Sequence, residues 1–263
     1  MSSQADFYDW FAAAYESQYK AIDAERTVQQ WAALLQTVLP AEEPASRLRL
    51  LDVGCGPGWH LPHWHHRGFA VAGLDVSMAM LEFAKAEWSR EVGGAVPPLY
   101  RADLLNLAGP ILNAEPFDVL VLHSNILHLF PPKTLPSLFG ALGHISAPGA
   151  LLMADFTSAA LLKESSAETI HIDGLPWDHV SHYDPAQGVL EQVWTNSAES
   201  MTELSWPIDL ENLDRLFHES GWTIQTRVGW DPQDFEAPFR EEWGDQARYV
   251  TIYGQANKRQ VDH

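Results

Sequence analysis

Three glycines, Gly54, Gly56 and Gly58, break an otherwise apolar run, LLDVGCGPGWH. Without side chains they let backbone come close to a ligand and present N–H groups to it. Asp75 follows 19 residues beyond Gly56, at the end of the next apolar run, where a carboxylate can accept hydrogen bonds from both hydroxyls of a ribose. Asp103, in RADLL, can accept a bond from the exocyclic amine of an adenine. Each feature also has a plainer reading: a packing turn for the glycines, a helix-start acid for Asp75, and a turn-forming side chain for Asp103. The spacing is GxGxG rather than the GxGxxG of dinucleotide sites, and Trp59 stands where the last glycine would allow close helix packing. An NAD-dependent oxidoreductase is therefore a rival reading and not the first.

These residues need rigid elements to hold them. Val28, Trp31, Leu35 and Val38 recur at helical spacing over 27–39, and Pro40 to Pro44 ends the pattern. RLRLLDV reads as a strand buried on both faces, 60–67 as the helix after the glycine turn, and 69–77 as a second strand with Ser77 capping the helix MAMLEFAKAEW. Further strands are expected at 99–105, 117–124 and 150–156, with a helix between the last two and Pro148 and Gly149 turning the chain into the strand. This alternation predicts a parallel sheet with helices on both faces. Beyond 157 the pattern becomes antiparallel strands joined by a turn from Asp184 to Gly188, an insertion over the sheet. A helix bounded by Asp209 and Gly221 follows, then two strand-like segments, WTIQTRVGW and RYVTIYGQA. One domain over 1–256 is expected, with lid helices in 1–40, the antiparallel insertion over 157–206 as an acceptor lid, and a flexible tail at 257–263.

Composition narrows the partners. The 263 residues, 46% of them hydrophobic, suffice for a large packed core. Sixteen basic against 35 acidic side chains give a formal charge of −19, which repels nucleic acid and anionic membranes. Cys55 is the single cysteine, and no long apolar run or basic leader occurs, so a cytoplasmic protein is expected. His60, His63, His65 and His66 crowd one helix, but no HExxH or paired CxxC accompanies them, and no metal is expected. Nothing in the sequence sets the oligomeric state.

Taken in order, LLDVGCGPG, GLDVS, RADLL and FDVLVLHSNILHLF resemble the successive motifs of class I S-adenosylmethionine-dependent methyltransferases over residues 50–156. The resemblance implies a Rossmann-like, seven-stranded, mostly parallel sheet with an antiparallel final strand. It implies that Asp52 and the turn of Gly54, Cys55, Gly56 and Gly58 hold the methionine end of S-adenosylmethionine, Asp75 the ribose, and Asp103 with Leu104 the adenine. Val76, Met78 and Met80 fall beside the adenine, His123 beside the donor, and FYDWFAAAYESQY resembles lid helices of the family, offering Tyr8, Tyr15 and Tyr19 to a sulfonium.

HSNILH is loosely similar to the GNxxxH pattern of glycine N-methyltransferase-like members, without its glycine. The implied reaction is in-line attack by an amine or hydroxyl of a small molecule on the sulfonium methyl. Should the acceptor need to lose a proton, His128, His123 and His182 are the candidate bases, in that order, because imidazole titrates near neutrality. The alternative for His128 is a helix-start histidine bonded to backbone. Trp177, His179, His182 and Tyr183 are candidates for the acceptor wall. Non-catalytic cofactor binding and macromolecule methylation are the other rivals, the latter disfavoured by charge.

Overall fold

The computed structural model describes residues 4–19, 24–39, 48–163, 165–172, 174–230 and 248–255, with side chains 13–19 and 230 excluded. Seven strands form the main sheet in the order β10-β11-β5-β4-β1-β2-β3, where β1 is Arg49–Val53, β2 Ala70–Asp75, β3 Leu99–Arg101, β4 Phe117–Leu122, β5 Ser146–Thr157, β10 Trp222–Trp230 and β11 Arg248–Gln255. β1 pairs in parallel with β2 and β4, whereas β11 runs antiparallel to both β5 and β10. The strand order therefore reverses direction at β1 and β4, the point at which open α/β sheets leave a crevice beyond their carboxyl edge.

Alternation along the strands sends side chains to two cores. Leu51 and Val53 face Leu120, Leu122, Phe139 and Phe217 beneath α5 (Leu135–His144) and α7 (Leu210–Glu219). Leu50, Val119 and Val121 face Trp31 of α2 (Ala24–Gln36) and Leu61 and Trp64 of α3 (Leu61–His66) on the other side. Asp52 falls on this second face, by parity with Leu50. The capping residues behave as their chemistry dictates: Ser77 accepts from Met80 N (3.1 Å) at the start of α4 (Met78–Glu91), and Asp209 from Asn212 N (2.8 Å) at the start of α7.

Three expectations shift. Pro148 and Gly149 lie inside β5, where Gly149 at φ +79° accompanies a register irregularity against β4, so the pair makes a bulge and not a turn. β3 is only three residues long, because Asp103 closes a turn with Asn106 instead of extending the strand. The first core helix begins at Ala24, earlier than its apolar spacing suggests.

The insertion is a separate sheet in the order β6-β7-β8-β9: Ser166–Ile172, Leu175–Asp184, Val189–Thr195 and Ser200–Ser205. Its β7–β8 turn runs from Asp184 to Gly188 as expected, with Gly188 N donating to Asp184 O (2.8 Å). Trp177 and Trp194 on its inner face meet Phe7 and Phe11 of α1 (Gln4–Tyr19). α6 is a single turn, Ala159–Leu162, leading into this sheet. The acidic 231–247 segment and the tail lie outside the described residues. Among the described residues no helix is long and apolar enough to cross a membrane.

Candidate active site

A cavity of about 330 Å³ opens at the carboxyl edge of β1, β2 and β4. Its floor is the turn after β1. Gly54, Gly56 and Gly58 all adopt positive φ (+69°, +51° and +75°), the left-handed region that favours glycine. Two of them play different parts: Gly54 and Gly56 line the cavity, whereas a Cβ on Gly58 would stand 2.7 Å from Ala84 Cβ and 2.9 Å from Ala84 Cα. Gly58 thus performs the helix-packing task that the GxGxxG pattern gives to its last glycine, and it does not reach the cavity. Gly73 on β2 makes similar room for Cys55, since a Cβ there would meet Cys55 Sγ at 2.8 Å.

The N–H groups of the turn are largely engaged within the protein. Gly54 N and Cys55 N both donate to Leu74 O (2.7 and 3.0 Å), Gly56 N to Asp75 Oδ2 (2.8 Å) and Gly58 N to Cys55 O (3.0 Å). The turn therefore offers close approach rather than an anion cradle. This geometry suits a ligand without a pyrophosphate better than a dinucleotide.

Asp75 lines the cavity and is fixed from two sides, by Gly56 N and by Ser77 N to Oδ1 (2.9 Å). Burial raises its carboxyl above the usual range, against those backbone donors. A carboxylate has about four lone-pair sites, so acceptor capacity remains for a ligand hydroxyl. Asp103, Leu104 and Val76 line the same end, with Asp103 Oδ1 also accepting from Leu105 N (2.9 Å). Met80 is buried against the cavity, but Met78 is 44% exposed and does not line it.

The other end is built from β4 and the residue before α3. His60 and His123 line the cavity with Cys55, their rings stacked at 4.0 Å and 16°. Trp64 Nε1 donates to His123 Nε2 (3.4 Å), and Trp31 lies 4.0 Å from the same ring. Burial depresses both imidazoles, His60 to about 4 and His123 well below the ordinary value. Asp52 is fully buried, does not line the cavity, and has both oxygens without a hydrogen-bond partner among the described residues. Burial first, then the charge of Asp75, pushes its carboxyl up to about 8.

His123 and Ser124 are aimed into the cavity by a strained turn. Ser124 and Asn125 both have positive φ (62° and 60°), each costing on the order of 1–2 kcal/mol for a non-glycine residue. Asp155 offsets that cost by accepting from Ser124 N (3.1 Å) and Asn125 N (2.6 Å), and Arg248 Nη2 donates to it at 2.6 Å. Thr157 adds a bond to Asn125 Oδ1 (2.9 Å).

The roof is α1. Asp9 accepts from Ser77 Oγ (2.6 Å) and Ala79 N (3.1 Å), docking α1 on the start of α4 and bringing Gln4, Ala5 and Tyr8 to the cavity. The Tyr8 hydroxyl donates to Glu203 on β9, whose second oxygen accepts from Gln192 Nε2 (3.0 Å). Sequence reasoning missed Asp9, His60, Asp155, Glu203 and Arg248 as site residues; only the aromatic run around Tyr8 pointed to this roof.

Several expected site residues lie elsewhere. His128 is buried away from the cavity, stacked on Phe156 at 4.6 Å, with Nδ1 3.1 Å from Trp206 O. The backbone-bonded alternative is the one its surroundings match, and burial lowers it to about 4. His182 is exposed on the insertion and does not line the cavity, because strand alternation turns Trp177, His179 and Ser181 to the inner face of β7 and puts His182 on the outer face with Asp178 and Val180. Trp177 packs on Trp10 (5.0 Å) and His179 on Trp194 (4.6 Å), so the proposed acceptor wall joins the insertion to α1 instead. The side chains of Tyr15 and Tyr19 lie outside the described residues.

Residues 50–149 match the family model described as a methyltransferase domain. That stretch carries a methyltransferase domain of the class I, S-adenosylmethionine-dependent type and makes up less than half of the chain. A 50-residue stretch of this methyltransferase is 40% identical to malonyl-[acyl-carrier protein] O-methyltransferase of Erwinia pyrifoliae (strain DSM 12163 / CIP 106111 / Ep16/96), covering 19% of each chain. Likeness over the whole length is lower: 24% identity to YqeM of Bacillus subtilis (strain 168), whose methyltransferase name is provisional, covering 89% of this chain and 94% of that one. Among solved structures, an S-adenosylmethionine-dependent methyltransferase from Clostridium acetobutylicum ATCC 824 superposes with a TM-score of 0.73 at 14% identity, over 95% and 99% of the two chains. CalS10, an amino pentose methyltransferase from Micromonospora echinaspora solved with its methyl donor bound, gives 0.60 at 18% identity over 92% and 96%. At these identities the structures establish the shared fold alone. S-adenosylmethionine is the cofactor of the methyltransferase, and the cavity fits it: Asp75 retains acceptor capacity for a sugar hydroxyl, and a buried carboxylate without a donor stands behind the opposite end.

Proposed function

We propose that this methyltransferase transfers the methyl group of S-adenosylmethionine to a small-molecule acceptor, at nitrogen or oxygen. The observation that carries this reading is the cavity at the strand-order reversal, floored by Gly54 and Gly56, flanked by Asp75 and roofed by Tyr8. The bound donor supplies an electrophilic methyl carbon on sulfur. The protein's part is to hold Asp75 and the glycine turn against the adenosyl group, to exclude water with α1, and to leave one line of attack. Well-oriented reactants gain about 7–11 kcal/mol over free encounter, so a dry and shaped site can do most of the work.

We assign Asp52, Gly54, Cys55, Gly56, Asp75, Val76, Met80, Asp103, Leu104 and His123 to the donor. Where the acceptor must lose a proton, Tyr8 is the group we favour. It lines the cavity and donates to Glu203, whose carboxyl burial raises to about 7, against the lowering effect of Tyr8. His128 and His182 do not line the cavity, and burial holds the His123 imidazole well below its ordinary value. The insertion closes over α1 as part of the lid, and the acidic charge of −19 favours neutral or cationic acceptors. A buried lone cysteine suits a cytoplasmic setting. Purified protein incubated with methyl-labelled donor and a small-molecule extract should yield newly labelled compounds by mass spectrometry. Donor binding without any labelled product would make the chain a binder instead.

A further inference from the structure

Ser124 and Asn125 follow β4 in succession at φ 62° and 60°, a region that glycine enters freely and other residues enter at a cost. A mere chain reversal needs no such pair, since glycine at either place gives the same backbone. Asn125 uses its side chain to accept from Thr157 Oγ1 (2.9 Å). Ser124 has another setting: it lines the cavity and is exposed there, next to the buried His123.

The turn is held by residues of two other strands. Asp155 accepts from both strained residues, Ser124 N at 3.1 Å and Asn125 N at 2.6 Å, and Arg248 Nη2 donates to it at 2.6 Å. Arg248 opens β11 opposite Thr157 of β5, so by strand alternation Asp155, Thr157 and Arg248 share one face of the sheet. The ion pair is largely dry, its two side chains being 16% and 3% exposed. Desolvation offsets most of the attraction in such a pair, which makes it a weak device for stability. What this one adds is a fixed direction for two backbone N–H groups, and with them the placement of Ser124.

We propose that Asp155 and Arg248 are positioning residues for methyl transfer, locking the Ser124–Asn125 turn so that Ser124 meets the acceptor. The Ser124 hydroxyl accepts a hydrogen bond from the N–H or O–H of the attacking group and takes no proton, which leaves the attacking lone pair aimed at the methyl carbon. The proposal rests on the transfer reading above. A small displacement of the turn then costs rate, while Asp75 and the glycine turn stay where they are.

The test is a double-mutant cycle between Asp155 and Asn125. Its readout is the rate of label transfer from saturating methyl-labelled S-adenosylmethionine to a dilution series of small-molecule extract. Calorimetric titration with S-adenosylhomocysteine and a thermal melt accompany each variant. In the parent, Asp155→Asn should lower the maximal rate about 10- to 100-fold and change S-adenosylhomocysteine affinity by less than about threefold. In an Asn125→Gly background the same change should cost less than about threefold, because glycine holds the positive φ unaided. Should Asp155→Asn fail to fold, Arg248→Lys, which keeps the charge and loses the fork, takes its place in the cycle with the same expectation. Ser124→Ala should lower the maximal rate about tenfold at unchanged S-adenosylhomocysteine affinity. A pair that only supports the fold would lower the melting temperature and give equal rate losses in both backgrounds, and that result overturns the proposal. So does a full maximal rate in Asp155→Asn or in Ser124→Ala. A parent that binds S-adenosylhomocysteine and labels nothing removes the transfer reading itself, and the proposal with it.

Discussion

At the scale of single residues, charge burial decides more than hydrogen-bond counts. Asp52 holds its proton to about pH 8 when folded, against a value of 3.8 when exposed. The folded chain therefore binds more protons than the unfolded chain between those limits. Its contribution to stability is complete below about pH 4 and is lost as pH rises towards 8. Asp52→Asn should thus gain melting temperature relative to the parent as pH goes from 5 to 8, with a ceiling of roughly 4 kcal/mol; parallel curves would show that Asp52 is ionised throughout. Asp75, also raised by burial, differs in having partners, since its oxygens are held by Gly56 N and Ser77 N. Asp75→Ala removes both the ligand contact and the anchor of the turn, and affinity for S-adenosylmethionine should fall about 10- to 100-fold. His128, enclosed beside Phe156 and Trp206, should behave as core: His128→Ala should cost on the order of 2–4 kcal/mol in denaturant melts and leave donor affinity nearly unchanged. A large loss of affinity with intact stability would return it to the site.

At the scale of elements, the turn between β1 and α3 divides its glycines between ligand and packing. Gly58→Ala forces a Cβ against the backbone of α4 at a positive φ, so it should destabilise by about 2 kcal/mol or more, or roughly 4–8 °C. A neutral result in a thermal melt would mean that α4 can retreat. Strand, turn and cap signals of this kind are local, which is why β1, β2, β4, α4 and α7 were legible in the sequence along with Ser77 and Asp209. The clamp on the strained turn was not. Asp155 and Arg248 are 93 residues apart, and Asp9 is 68 residues from the Ser77 it binds, so neither pairing leaves a periodic or spacing signal. His128 misled for the same reason: its sequence neighbours show a helix start, while its burial is set by Phe156 and Trp206, distant in the chain.

At the scale of the molecule, the main sheet and the roof helix α1 line one cavity, and the insertion grips α1 through Phe7, Phe11, Trp177 and Trp194. The parallel sheet was readable because strand and helix patterns alternate along the chain from β1 to β5. How the roof closes was not readable, because it depends on contacts between the first helix and β9, joined by Tyr8 and Glu203. The most direct measurement is a crystal structure of the protein with S-adenosylmethionine bound. The adenosyl group should fill the cavity, its ribose hydroxyls on Asp75, its adenine between Met80 and Leu104, and its amino-acid end against His60 and His123. A donor bound outside that crevice, or inside it with Asp75 touching no part of the sugar, would contradict the assignment.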